Sequence, residues 1–208
     1  PLYSSAASDV YKRQRLYPPL LSTIKRSMLE AAKHYIRLGK HAEQFADFLT
    51  FAALDPGETF TNEELSQVTH ALPIEGLQSA AQTLVRALEG AGEQREIYWR
   101  NRVLPYWDSI WPKSSESKSH AVSESLARLC VAARKAFPDA FKKLRHWLQP
   151  VEYPDYIICQ LHEASLCQEF PDDALEFLGK IIGADARWLP NELRHCLDQI
   201  KQTDQMLA

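Results

Sequence analysis

Apolar residues recur along the chain at helical spacing, and no stretch alternates convincingly at period two. From Pro18 to Leu38, the positions Leu21, Ile24, Met28, Ala31, Ala32, Tyr35 and Leu38 share one helix face, and Gly39 is a natural stop. A second helix carries Phe45, Phe48, Leu49, Ala52 and Ala53 and breaks at Asp55-Pro56-Gly57. The best-marked start follows. Thr61 can cap, Glu64 completes a capping box, and Phe60 can pack on Leu65 as a hydrophobic staple. This short helix is predicted to end near Leu72, before Pro73. A clean stripe of Leu77, Ala80, Ala81, Leu84, Val85 and Leu88 then runs to Gly90-Ala91-Gly92.

Residues 93–111 concentrate aromatics around arginines, and Pro105 must kink or split the helix there. The polar run 113–119 divides an N-terminal helical part, 15–112, from a C-terminal one, 120–201. In the latter, Val122, Leu126, Leu129, Cys130, Ala133 and Phe137 lie on one face, and Ala140, Phe141, Leu144, Trp147 and Leu148 form its partner. A turn at Pro150–Pro154 leads to a second pair, begun by Tyr156, Ile157, Cys159, Leu161 and Ala164. Ala174, Leu175, Leu178, Ile181 and Ile182 close it. The last helix, with Leu193, Cys196, Leu197 and Ile200, is expected to fray into a tail over 202–208.

One phrase occurs twice, Phe137-Pro138-Asp139-Ala140 and Phe170-Pro171-Asp172-Asp173-Ala174, 33 positions apart. Pro at a first helical position loses no hydrogen bond, and an acid beside it suits the positive helix end. The phrase reads as a helical-hairpin corner used twice. The predicted fold is therefore all-α: stacked helical hairpins in an α-solenoid of degenerate HEAT or tetratricopeptide kind, with an irregular helical bundle as the alternative.

The 208 residues carry a net charge of −3, with 12 Lys and Arg against 13 Asp and Glu in residues 1–112 and 12 against 14 in 113–208. No half is a basic platform, so a nucleic-acid partner has little electrostatic support. No apolar run approaches the roughly 20 residues that span a bilayer. Four cysteines without paired short spacing suit a reducing, cytoplasmic setting. Residues 1–14 stand apart. Asp9-Val10-Tyr11-Lys12-Arg13-Gln14 back-translates as GAT GTG TAT AAG AGA CAG, which resembles the transposon-end adaptor of sequencing libraries. They are read as an adaptor artefact, a disordered tail being the alternative, and the natural protein is expected to extend upstream.

Candidate chemistry is sparse. Cys159, His162, Cys167, His195 and Cys196 would have to converge to hold zinc, yet Cys130, Cys159 and Cys196 fall on apolar stripes. His162 and Cys167 are on adjoining turns, with Glu163 beside them, but nothing resembles an oxyanion site. Asp139, Asp172 and Asp173 are explained by their helix starts. No catalytic residue, cofactor or metal is assigned. The candidate interaction surface is Arg95, Tyr98, Trp99, Arg102, Tyr106, Trp107 and Trp111: exposed aromatics interleaved with Arg can anchor a protein or stack bases. The Trp107–Trp111 spacing also fits a core.

Tyr106-Trp107 through Trp111-Pro112, Glu124-Ser125-Leu126-Ala127-Arg128-Leu129 and the two Phe-Pro-Asp phrases resemble C-terminal helical regions of large bacterial proteins of the antiphage-defence type. In those, a sirtuin-like or NTPase effector precedes helical repeats that sense a partner. The resemblance covers roughly residues 93–200 and implies a non-catalytic sensor or scaffold segment, bound to a protein partner or an upstream domain; it carries over no functional residues. The expected function is protein interaction. A helical enzyme with an unrecognised site, or a single-stranded nucleic-acid binder using Tyr98 to Trp111, are the alternatives.

Overall fold

The computed structural model describes residues 18–38, 41–54, 60–69, 72–110, 119–183, 189–190 and 192–207. Residues 1–14, Trp111 and the 113–119 linker except Ser119 lie outside them. Among the described residues every regular element is helical: α1 (Pro18–Arg37), α2 (Ala42–Leu54), α3 (Asn62–Thr69), α4 (Ile74–Gly90), α5 (Arg95–Tyr98), a π-helical segment (Trp99–Val103), α6 (Leu104–Ile110), α7 (His120–Ala132), α8 (Phe137–Leu144), α9 (Asp155–Glu163), α10 (Leu166–Glu169), α11 (Pro171–Ile182) and α12 (Leu193–Leu207).

Local chemistry accounts for several boundaries. The Glu64 amide donates to Thr61 Oγ1 at 3.2 Å and the Thr61 amide to Glu64 Oε2 at 3.0 Å, the reciprocal box expected from the sequence. Phe60 and Leu65 are both buried beside it. Ser119 caps α7 by accepting from the Val122 amide at 3.1 Å. The π segment sits just before Pro105, which has no N–H to donate and crowds the Asn101 carbonyl; a widened turn accommodates both. The last helix runs from Leu193 to Leu207 and so includes most of the stretch 202–208.

Three corners share a backbone that the sequence does not advertise. After α4, Ala91 (φ −74°, ψ −6°) is followed by Gly92 at φ 57°, then one 3₁₀ turn. After α7, Ala133 (φ −67°, ψ −15°) precedes Arg134 at φ 54°, again with one 3₁₀ turn. After α9, Ala164 (φ −79°, ψ −2°) precedes Ser165 at φ 57°, and the single-turn α10 follows. The Arg134 reversal ends α7 at Ala132, so the stripe from Val122 to Phe137 is split between two helices although all six residues are buried. A Cβ at Gly92 would meet nothing within 4 Å. Gly92→Ala therefore suffers only the left-handed penalty of about 1 kcal/mol, readable as a lowered urea midpoint. Ser165→Gly, lifting the same penalty at the equivalent corner, is expected to be neutral or slightly stabilising.

α4 packs along α2 on one side and α7 on the other; α7 then meets α9, and α9 meets α12. On the opposite side α1 meets α3, α3 meets α6, and α8 meets α11. Trp107 of α6 lies edge-on to Trp147 just after α8, with ring centroids 5.4 Å apart. One apolar cluster runs from Leu29 to Ile200, so the parts on either side of the linker share a core. At its C-terminal end Phe137, Phe141, Phe170 and Phe177 meet. Phe137 is 6.3 Å from Phe170 and 5.4 Å from Phe177 between centroids. The phenylalanines of the two repeated phrases thus touch.

Candidate functional site

The segment 93–107 presents two faces. Trp99, Val103, Tyr106 and Trp107, at i, i+4, i+7 and i+8, are all buried. Tyr106 Oη lies 3.0 Å from Thr50 Oγ1, which donates to the Ala46 carbonyl at 2.8 Å, so the phenol is anchored to α2. Burial pushes that phenol's ionisation far up. Trp99 is fully enclosed, and its indole N–H finds no acceptor. Of the candidate surface, Trp99, Tyr106 and Trp107 are therefore core residues, the placement their helical spacing also fitted. Trp111 is outside the described residues.

The other face carries Gln94, Ile97, Tyr98, Asn101 and Arg102, again at i, i+3, i+4, i+7 and i+8. With Ala87, Gly90 and Ala91 from the end of α4 it lines an open groove of about 380 Å³. Ile97, one of the lining residues, is 61% exposed. Tyr98 is half-buried against the core, and Arg102 is half-buried with no ion pair among the described residues. Of the candidate interaction surface, Tyr98 and Arg102 line this groove, beside Ile97 and Asn101, which share their helical register.

Arg95 has a different place. Its guanidinium nitrogens reach the carbonyls of Glu89 and Ala132, each at 3.4 Å, at the ends of α4 and α7. It ties one corner to the next. Burial, then the charge of Arg95, pull Arg134 below the ordinary arginine value. Arg100 pairs with Glu96 at 3.0 Å and reaches Asp139 at 3.8 Å. Asp139 of α8 thereby reaches the π-helical segment. Asp172 and Asp173 stand in the first turn of α11, as their proline suggests.

The Cys/His set divides. His195 Nδ1 is 2.8 Å and His162 Nδ1 3.9 Å from the same Glu192 Oε2, with the imidazoles 5.5 Å apart. Cys159 Sγ is 3.5 Å from Glu163 Oε1. Cys167 and Cys196 are both buried, on α10 and α12, which pack together. His162 is thus engaged with Glu192 and Glu163 with Cys159, whereas Cys167 is enclosed. Among the described residues, no three His, Cys, Asp or Glu side chains converge to hold a metal ion. Likewise, no described helix is long and apolar enough to cross a membrane.

No protein-family model matches the chain, and neither a curated protein nor a solved structure is significantly similar to it.

Proposed function

We propose that this chain is a non-catalytic, two-layered array of helical hairpins that serves as a sensor or scaffold by binding a protein in the groove between α4 and α5. The observation that carries the binding site is the joint presence, in one concavity, of exposed Ile97 and unpaired Arg102. An apolar anchor flanked by a carboxylate would cover the first and neutralise the second, the usual composition of an interface centre.

The array reading rests on repetition. Three helix ends turn through an alanine and a left-handed residue, and contacts run α2 to α4 to α7 to α9 to α12 in one series, and α1 to α3 to α6 and α8 to α11 in another. Ion pairs join the second series step by step, Arg26 with Glu64, Lys143 with Asp108, and Arg145 with Glu176 at 3.8 Å. These pairs are exposed and each is worth less than about 1 kcal/mol, so they set register more than stability. A protein partner is favoured over single-stranded nucleic acid because Trp99, Tyr106 and Trp107 are enclosed and offer no stacking face.

The test compares wild type, the Ile97→Asp/Arg102→Glu double variant and Leu189→Asp, whose exposed leucine lies elsewhere, as baits in one lysate. Polypeptides retained by wild type and Leu189→Asp but lost with the double variant are expected. An identical set on all three baits, or none above the bare resin, would overturn the assignment of the groove.

A further inference from the structure

Leu175 on α11 is 51% exposed, although an aliphatic side chain gains by burial. Asp172 stands one turn before it on the same face of the helix, exposed and without an ion pair among the described residues. Burial, then the charges of Glu176 and Asp172, hold the Asp173 carboxyl above the usual range, so the start of α11 carries negative charge in excess. The groove between α4 and α5 has the opposite composition. Arg102 is the single charge among its lining residues, and Ile97 supplies an exposed aliphatic surface. Gly90 leaves open space beside them, since a Cβ there would meet nothing within 4 Å.

We infer that the occupant of this groove is a second copy of the chain, which presents the Asp172–Leu175 face of its α11. The inference rests on the reading of the groove as a protein-binding surface and names the partner. Leu175 covers Ile97 beside the small side of the groove, and the Asp172 carboxylate neutralises the Arg102 guanidinium. Elsewhere the acids near exposed apolar side chains are already engaged. Asp47, one turn before Phe51, accepts from Ser79 and Thr83. Glu192, three positions after Leu189, lies 2.8 Å from His195 Nδ1, and Asp198, beside Leu197, lies 4.0 Å from Arg194 Nε. Leu38 follows Arg37, whose charge would repel Arg102. The groove and the α11 face lie on different elements, so each copy both offers and accepts the contact.

The experiment measures the mass of the full chain by sedimentation velocity over a concentration series reaching about 200 µM, at low and at high salt. Wild type is expected to exceed the monomer mass as concentration rises, and to do so less at high salt. Leu175→Asp and Arg102→Glu should each weaken the association roughly tenfold or more, the size of an ordinary hot-spot loss. The two variants are complementary: Arg102→Glu keeps an intact α11 face, and Leu175→Asp keeps an intact groove. Mixed in equal amounts they should pair as a dimer and grow no further, and that pairing shows that both are folded. A wild type that stays monomeric throughout overturns the proposal. Loss of lysate polypeptides by the Ile97→Asp/Arg102→Glu bait would then leave the groove itself standing with a different protein in it. Oligomers that persist unchanged in both variants also overturn the proposal, because the contact then lies elsewhere.

Discussion

Phe137→Ala is expected to lower unfolding free energy by about 3–5 kcal/mol, the usual range for removing a fully enclosed phenyl ring. Phe137 has no solvent exposure and joins two pairs of helices. It stacks on Phe141 of its own helix at 6.2 Å, meets Phe177 of α11 edge-on, and touches Phe170 at the next corner. Collapse cannot readily fill the resulting cavity, because its walls belong to two helix starts held by Pro138 and Pro171. Against a total stability of about 5–15 kcal/mol for an ordinary domain, the loss is a third or more. Phe170 occupies the equivalent place in the repeated phrase but is only half-buried, so Phe170→Ala should cost clearly less. Urea unfolding of the two variants tests this directly. Equal losses would mean that the two phrases are energetically equivalent, contrary to their different burial.

Helix positions were legible from local periodicity, but not every buried face. On the face predicted for α1, Met28, Tyr35 and Leu38 are exposed while Leu29 and Ile36 are buried, and Tyr156, Leu175 and Leu197 are likewise exposed. α1 and α2 occupy the predicted stretches, the Thr61–Glu64 box forms as its spacing demands, and every member of the stripe from Leu77 to Leu88 is buried. The corners were only half legible. Gly92 is a visible left-handed residue, whereas Arg134 and Ser165 adopt the same conformation without glycine, so nothing in their side chains announces the turn. The Phe-Pro-Asp phrase marks the helix that follows each corner and not the corner itself. Even there the two copies differ: α8 begins at Phe137, one residue before its proline, while α11 begins at Pro171.

Within the candidate surface, register separates the enclosed residues from those on the groove. Trp99, Tyr106 and Trp107 drew attention as aromatics among arginines, yet with Val103 they form a stripe as regular as any in the chain, and the stripe decides. The groove on the opposite face depends on where α4 stops relative to α5, which is a tertiary fact. The approach of Glu192 to His162, 30 positions away, is equally tertiary, whereas its contact with His195 is a local i, i+3 pair.

Gly183→Ala is expected to cost roughly 3 kcal/mol, although it adds one methyl group at a half-exposed site. Gly183 follows α11 at φ 74°, ψ 165°, a region that side chains with a Cβ scarcely enter. A Cβ there would stand 2.7 Å from Pro150 Cγ and 3.1 Å from Pro150 Cβ. The proline cannot simply move away. Its carbonyl lies 2.8 Å from His120 Nδ1, and the neighbouring Gln149 both donates to and accepts from Ser123 Oγ at 2.7 Å. On its other side the Val151 amide donates to the Ile181 carbonyl at 2.7 Å, one turn from the glycine itself. Relief of the clash therefore breaks contacts to α7 or to α11, and with them the passage from α8 to α9. Gly179→Ala is the control: it lies inside α11 with nothing within 4 Å of its added Cβ, and should stabilise by about 0.5–1 kcal/mol through helix propensity. Opposite signs for two glycine-to-alanine changes four residues apart would locate the constraint in the Pro150 contact and the Gly183 backbone. If both variants stabilise, the clamp between 149–151 and the end of α11 does not hold the C-terminal hairpins together.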